Sequence, residues 1–128
     1  MNRITLATHN PHKIKMLSWI VDGLFDPIVE MSDKFEPSET HETFLLNAEH
    51  KSSTIAKLTR TWSIATDGGA EIPSLGNKWQ AVLTKRFLGR EDVTDWDRIN
   101  GLLTLMKDKK GNDRTIIWKE AISLADPK

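Results

Sequence analysis

The chain has 128 residues, 18 Lys and Arg against 18 Asp and Glu, and no cysteine. This balance argues against a nucleic-acid polymer as partner, because such binders carry a basic excess that neutralises phosphates, whereas a single nucleotide needs only a few local cations. No run approaches the roughly 20 apolar residues of a membrane span, the N-terminus lacks the layout of a signal peptide, and neither a disulfide framework nor a thiolate zinc site is possible, so a cytoplasmic protein without membrane contact is the expectation.

In chain order, RITLAT reads as a short strand and PHKIKMLSWIVDGL as a helix with Ile14, Leu17, Ile20 and Val21 on one face. Asn10 is a suitable cap, Pro11 fits the first turn, and Gly23 is a stop. DPIVEM is a second strand, followed by a polar connection, SDKFEPSETHE, in which Pro37 discourages regular structure. A second helix spans residues 43–60, with Phe44, Leu45, Ala48, Ile55 and Leu58 as its apolar face. WSIAT is a strand leading into DGG, and AEI and QAVLTKRF are short extended candidates around the turn SLGNK. A third helix lies in VTDWDRINGLLTLMKD, capped by Thr94 or Asp95, with Trp96, Ile99, Leu102, Leu103 and Met106 as its buried stripe. KDKKGNDR is a solvated turn, and TIIWKEAISLA alternates as a final strand. Strands alternating with helices, without a repeat or linker, indicate an α/β layout in one domain over residues 1–128. The five tryptophans form no stacking stripe and are assigned to core and edge packing.

The run TLATHNPHKIKML joins a strand, a polar loop and a helix start. The first helical turn leaves backbone N–H groups unpaired and its dipole favours negative charge, so the junction suits an anion. Thr8 and Asn10 add side-chain donors, and Lys13 is placed to fold back toward the same point. Taken alone, this is more simply a capped helix with a surface lysine. Asn47 and Lys51, four apart on the second helix, let an amide and an ammonium meet one ligand. Glu39 and Glu42 precede that helix, and Asp67 ends a strand. Carboxylates so placed are hard-metal ligands when phosphate is the other partner, since Mg²⁺ needs only one or two protein oxygens. Gly68 and Gly69 permit close backbone approach to a ligand, although Asp-Gly is also a common turn pair. His9, His12, His41 and His50 match no closed metal-ligand spacing, and surface or capping roles are expected for them.

In order and spacing these segments resemble the non-canonical purine nucleoside triphosphate pyrophosphatases, the inosine triphosphatase family. Ala7, Thr8, Asn10 and Lys13 match its opening motif, Ala-Thr-x-Asn-x-x-Lys. ETHETFLLNAEHK keeps Glu39, Thr40, Thr43, Phe44, Asn47, Ala48 and Lys51 of the second motif, with His41 in place of a glycine. ATDGGAEI matches Ala-Asp-Asp-Ser-Gly-Leu-Glu-Val at Asp67, Gly69 and Glu71, while Thr66 and Gly68 replace the first Asp and the Ser. AVLTKRFLG retains Arg86, Phe87 and Gly89 of a fourth motif. The family usually continues beyond this point with a Phe-Gly-Tyr-Asp and a Ser-His-Arg segment that grip base and phosphates, and neither is found here. The resemblance implies a mixed sheet flanked by helices with a reduced second lobe, and Mg²⁺-dependent hydrolysis of a nucleoside triphosphate to monophosphate and pyrophosphate. It assigns Asp67 as general base and metal contact, Glu39 as metal ligand, and Thr8, Asn10, Lys13, Asn47, Lys51, Gly68 and Arg86 as substrate-binding. It also implies a homodimer that covers an open cleft and a sheet edge. A nucleotide-binding or interaction protein that keeps the fold without turnover is the alternative.

Overall fold

The computed structural model describes residues 1–29 and 42–128. Glu39 and the rest of the polar connection between the second strand and second helix lie outside the described residues. The described elements are β1 (Asn2–Leu6), α1 (Pro11–Val21), β2 (Phe25–Ile28), α2 (Phe44–Thr59), β3 (Trp62–Glu71), α3 (Asp95–Leu105) and β4 (Ile117–Ala125), with 3-10 segments at Pro73–Lys78, Ala81–Arg86 and Gly111–Arg114. The strands form one mixed sheet in the order β2-β1-β3-β4, flanked by helices. By packing the chain divides into two compact units, Met1–Asp67 with Glu120–Lys128, and Gly68–Lys119.

In the first unit β1 runs parallel to both neighbours, pairing Asn2 with Phe25 and Ile4 with Trp62. Parallel neighbours require a crossover, which α1 supplies between β1 and β2. Ile4, Thr5 and Leu6 are all buried, as expected of a strand covered on both faces. Ile4, Leu6 and Ile64 pack with Leu17 and Val21 of α1, while Ala7 and Ala65 pack with Ile55 of α2, so the two helices cover opposite faces. α1 starts where the Asn10 side chain accepts the His12 N–H at 3.0 Å with Pro11 in the first turn, as the sequence implies. α2 starts at Thr43, whose hydroxyl accepts the Leu46 N–H at 3.1 Å, and stops at Arg60 in the left-handed region. Its inward face differs from expectation. Asn47, Ala48, Ser52, Ile55 and Ala56 are buried, whereas Leu45 and Leu58 are exposed. Small side chains let the helix lie close to the sheet, and two polar positions inside made the apolar period misleading.

β3 is longer than WSIAT alone: it continues through Asp67, Gly68 and Gly69 into the extended AEI segment as far as Glu71, without the turn that Asp-Gly also allowed. The extended candidate QAVLTKRF is instead the 3-10 segment Ala81–Arg86. Its Thr84 hydroxyl accepts the Ala70 N–H at 2.9 Å and donates to the Ala81 carbonyl at 2.6 Å, ties that local propensity does not reveal.

The second unit has its own core of Ala70, Ile72, Leu75 and Met106, against which Trp79, Leu102 and Leu105 pack. The expected stripe of α3 is half right. Leu102 and Met106 face this core, but Trp96, Ile99 and Leu103 are exposed. At Gly101 a Cβ would meet Leu88 Cδ2 at 2.8 Å and Phe87 Cε2 at 3.1 Å, so the missing side chain permits that approach. Two tryptophans pack as expected: Trp62 tilts against Phe25 with ring centres 5.8 Å apart, and Trp79 lies 5.0 Å from Phe87 while donating Nε1–H to the Ala70 carbonyl. Trp19, Trp96 and Trp118 are exposed instead, since none lies on a face that either core covers.

The start of α3 is held by a capping box. Thr94 Oγ1 accepts the Asp97 N–H at 3.1 Å, and Asp97 Oδ2 accepts the Thr94 N–H at 2.9 Å. The bonds from the Thr94 backbone and side chain, with Arg90 nearby, hold the Asp97 carboxyl below its ordinary range. Thr94→Ala should lower stability by about 1 kcal/mol in denaturant unfolding. A depressed folded pKa stabilises the fold above the ordinary carboxylate range, and that contribution is lost as pH falls through the folded value. Asp97→Asn should therefore lower the melting temperature at pH 7, with the difference from wild type vanishing in acid.

Candidate active site

The loop between β1 and α1 is shaped by its own side chains. The Ala7 N–H donates to the Ile64 carbonyl at 2.9 Å, which ties the end of β1 to β3. The Asn10 N–H then donates to Thr8 Oγ1 at 3.1 Å, and the His12 N–H to Asn10 Oδ1 at 3.0 Å. Thr8 and Asn10 thus serve as acceptors, where the sequence suggested donors. The Thr8 hydroxyl hydrogen and the Asn10 amide hydrogens are the donors that these bonds leave over. Pro11 carries no N–H and that of His12 is capped, so the first turn offers an anion fewer backbone donors than a generic helix start. His9, expected in a surface or capping role, is half-buried, and its Nε2 is buried without a hydrogen-bond partner among the described residues. Buried polar atoms are normally paired, which marks this loop as chemically unfinished by itself.

β1 ends at Leu6, opposite Ile64, so β3 continues past its neighbour. Residues 66 and 67 therefore lie beyond the carboxyl end of β1, the place where open α/β sheets leave a crevice for ligands. Two helices reach β3 there from opposite faces. From α1, the Lys13 ammonium donates to the Thr66 carbonyl at 3.5 Å and lies 3.7 Å from a carboxylate oxygen of Glu120 on β4. From α2, Asn47 Nδ2 donates to Asp67 Oδ2 at 3.0 Å. Asn47 is 1% exposed and Asp67 7%, so a carboxylate is held nearly out of water by a neutral amide. The Thr66 hydroxyl donates to the same Glu120 oxygen that faces Lys13. Lys51 follows Asn47 by one helical turn and is half-buried.

Lys13, Asn47 and Asp67 of the expected site thus meet on two successive residues of β3. Thr8 and Asn10 sit at the start of the helix that carries Lys13. Gly68 and Arg86 belong to the second unit, where Gly68 is a half-buried strand residue and Arg86 is exposed at the end of its 3-10 segment. Glu39 lies outside the described residues, and Glu42 is exposed. Glu120 was not anticipated. The sign of it in the sequence is an acid placed within the apolar alternation of IIWKEAISLA, a position that requires a polar partner. Among the described residues no three His, Asp or Glu side chains gather as a metal site. An all-protein cage is therefore not built, but Mg²⁺ keeps several waters and takes one or two carboxylates beside phosphate oxygens, and a buried Asp67 suits that donor set.

The chain is 31% identical over 130 residues to the dITP/XTP pyrophosphatase of Bacillus subtilis, matching 99% of its own length and 65% of the relative's. It is 34% identical over 116 residues to the dITP/XTP pyrophosphatase of Escherichia coli, matching 89% of its own length and 58% of the relative's. It therefore spans about three-fifths of the length of these relatives. Among solved structures, a HAM1 protein from Coxiella burnetii superposes with a TM-score of 0.80 at 27% identity, over 98% of this chain and 64% of that one. The Ham1 family model matches residues 4–128, and the chain belongs to that family.

Proposed function

We propose that this chain hydrolyses nucleoside triphosphates, among them non-canonical purine triphosphates such as those of inosine and xanthosine, to the monophosphate and pyrophosphate in the cytoplasm. The observation that carries this reading is the buried Asp67 carboxylate, held by Asn47 beyond the end of β1 and flanked on β3 by the residue that Lys13 contacts. The relatives named dITP/XTP pyrophosphatase support the substrate class. Asp67 accepts a proton from the attacking water, whose oxygen bonds to the α-phosphorus while the bond to the α–β bridging oxygen breaks and pyrophosphate departs. Asn47 fixes one oxygen of that carboxylate, so its orientation is set before substrate arrives. Lys13 and Lys51 neutralise phosphate charge, and the Thr8 hydroxyl and Asn10 amide donate to phosphate oxygens. Mg²⁺, held by Asp67 and by Glu39 in the segment outside the described residues, would supply further charge neutralisation and make water easier to deprotonate.

A homodimer belongs to the same proposal. β4 is an edge strand of the sheet, and Ile122 and Leu124 on it are exposed. The unpaired backbone of an edge strand is a ready template for another chain, and exposed apolar side chains beside it favour such pairing. Light scattering on the purified protein should give twice the monomer mass, and a mass of 14.6 kDa would contradict the dimer.

With a panel of triphosphates and Mg²⁺, wild type should release pyrophosphate. Asp67→Asn, which keeps an oxygen for Asn47, should lower kcat at least about 100-fold, the usual scale for losing a general base. Nucleotide binding in calorimetry without pyrophosphate release would instead identify a binding protein that keeps the fold, the reading that Thr66 and Gly68 in the third motif favour.

A further inference from the structure

We propose that Glu120 is a positioning residue of this site, and that it supplies from β4 the carboxylate which position 66 of β3 does not carry in this chain. The inference deepens the proposed hydrolysis and rests on it for its kinetic part. Three contacts meet on one carboxylate oxygen or beside it. The Thr66 hydroxyl donates to Glu120 Oε1, the Lys13 ammonium lies 3.7 Å from that oxygen, and Lys13 is also 3.5 Å from the Thr66 carbonyl. A lysine is a flexible point charge on a four-carbon stem, so one contact would leave its position loose. A carbonyl from β3 and a carboxylate from β4 together define it. The Lys13 and Glu120 side chains are 25% and 21% exposed, so the pair is largely shielded from solvent.

Thr66 has a specific part in this arrangement. Its side chain is 1% exposed, and a hydroxyl can donate to a carboxylate where an acid would repel it. An aspartate at position 66 would bring two carboxylates into contact. Thr66 and Glu120 are therefore one device: a negative charge is needed beside Lys13, and either strand is able to carry it, but not both. Glu120 does not touch the reacting atoms on this account. It holds the ammonium ready, and its own negative charge opposes phosphate binding slightly.

That combination predicts an unusual kinetic split. Glu120→Gln, which keeps the volume, should leave triphosphate binding unchanged or tighter while kcat falls about 10-fold, since misplacing a charge-stabilising group costs rate more than affinity. Adding Thr66→Asp to Glu120→Gln should restore at least half of the wild-type kcat. A merely structural role would weaken binding and turnover together, and neither would return. A second measurement is independent of activity. Thr66→Asp in the presence of Glu120 should lower the melting temperature by about 3–6 °C, and by clearly less in the Glu120→Gln background, which is the sign of direct coupling between neighbouring sites. Equal shifts in both backgrounds would overturn the exchange, whatever the enzyme does. Coupling in melting temperature together with no turnover by wild type would leave the exchange standing and remove the proposed hydrolysis.

Discussion

The bond from the Asn47 amide to the Asp67 carboxylate is the constraint on which the site depends. A carboxylate that is 7% exposed has lost most of its hydration, and burying it unpaired would cost several kcal/mol. The Asn47 amide supplies one donor to it at 3.0 Å. The bond also has a structural consequence. It joins the first turns of α2 to β3, and Lys51 follows one turn further along the same helix.

Much of this arrangement was legible in the chain. The Asn10 cap, the Pro11 start and the buried residues of β1 and α1 follow from turn chemistry and from the 3.6-residue period, and the structure has them where the sequence implies. The misses have a common cause. At α2 the inward face is made of Asn47, Ala48, Ser52 and Ala56, so packing is set by small size and by a polar bond across 20 residues, neither of which a hydrophobic count detects. The same holds for β3. Asp-Gly-Gly reads locally as a turn, but pairing within the sheet keeps it extended.

The candidate site was visible in part, and its limits are instructive. Asp67, Asn47 and Lys13 could be named from motif order, yet nothing local to them shows that α1 and α2 approach β3 from opposite faces at adjacent residues. Glu120 is 53 positions from Asp67 and belongs to no motif, so only the placement of β4 beside β3 reveals it. Thr8 and Asn10 illustrate the reverse case. Both act here as acceptors, Thr8 within the loop and Asn10 as the helix cap, where the motif reading suggested donors.

The central claim is that water, activated at Asp67, attacks the α-phosphorus of a triphosphate. It is tested most directly by running the reaction in ¹⁸O-enriched water with Mg²⁺ and analysing the products by mass spectrometry. The account predicts one labelled oxygen in the nucleoside monophosphate and none in the pyrophosphate. Label in pyrophosphate or in orthophosphate, with the monophosphate unlabelled, would place the attack elsewhere and contradict it.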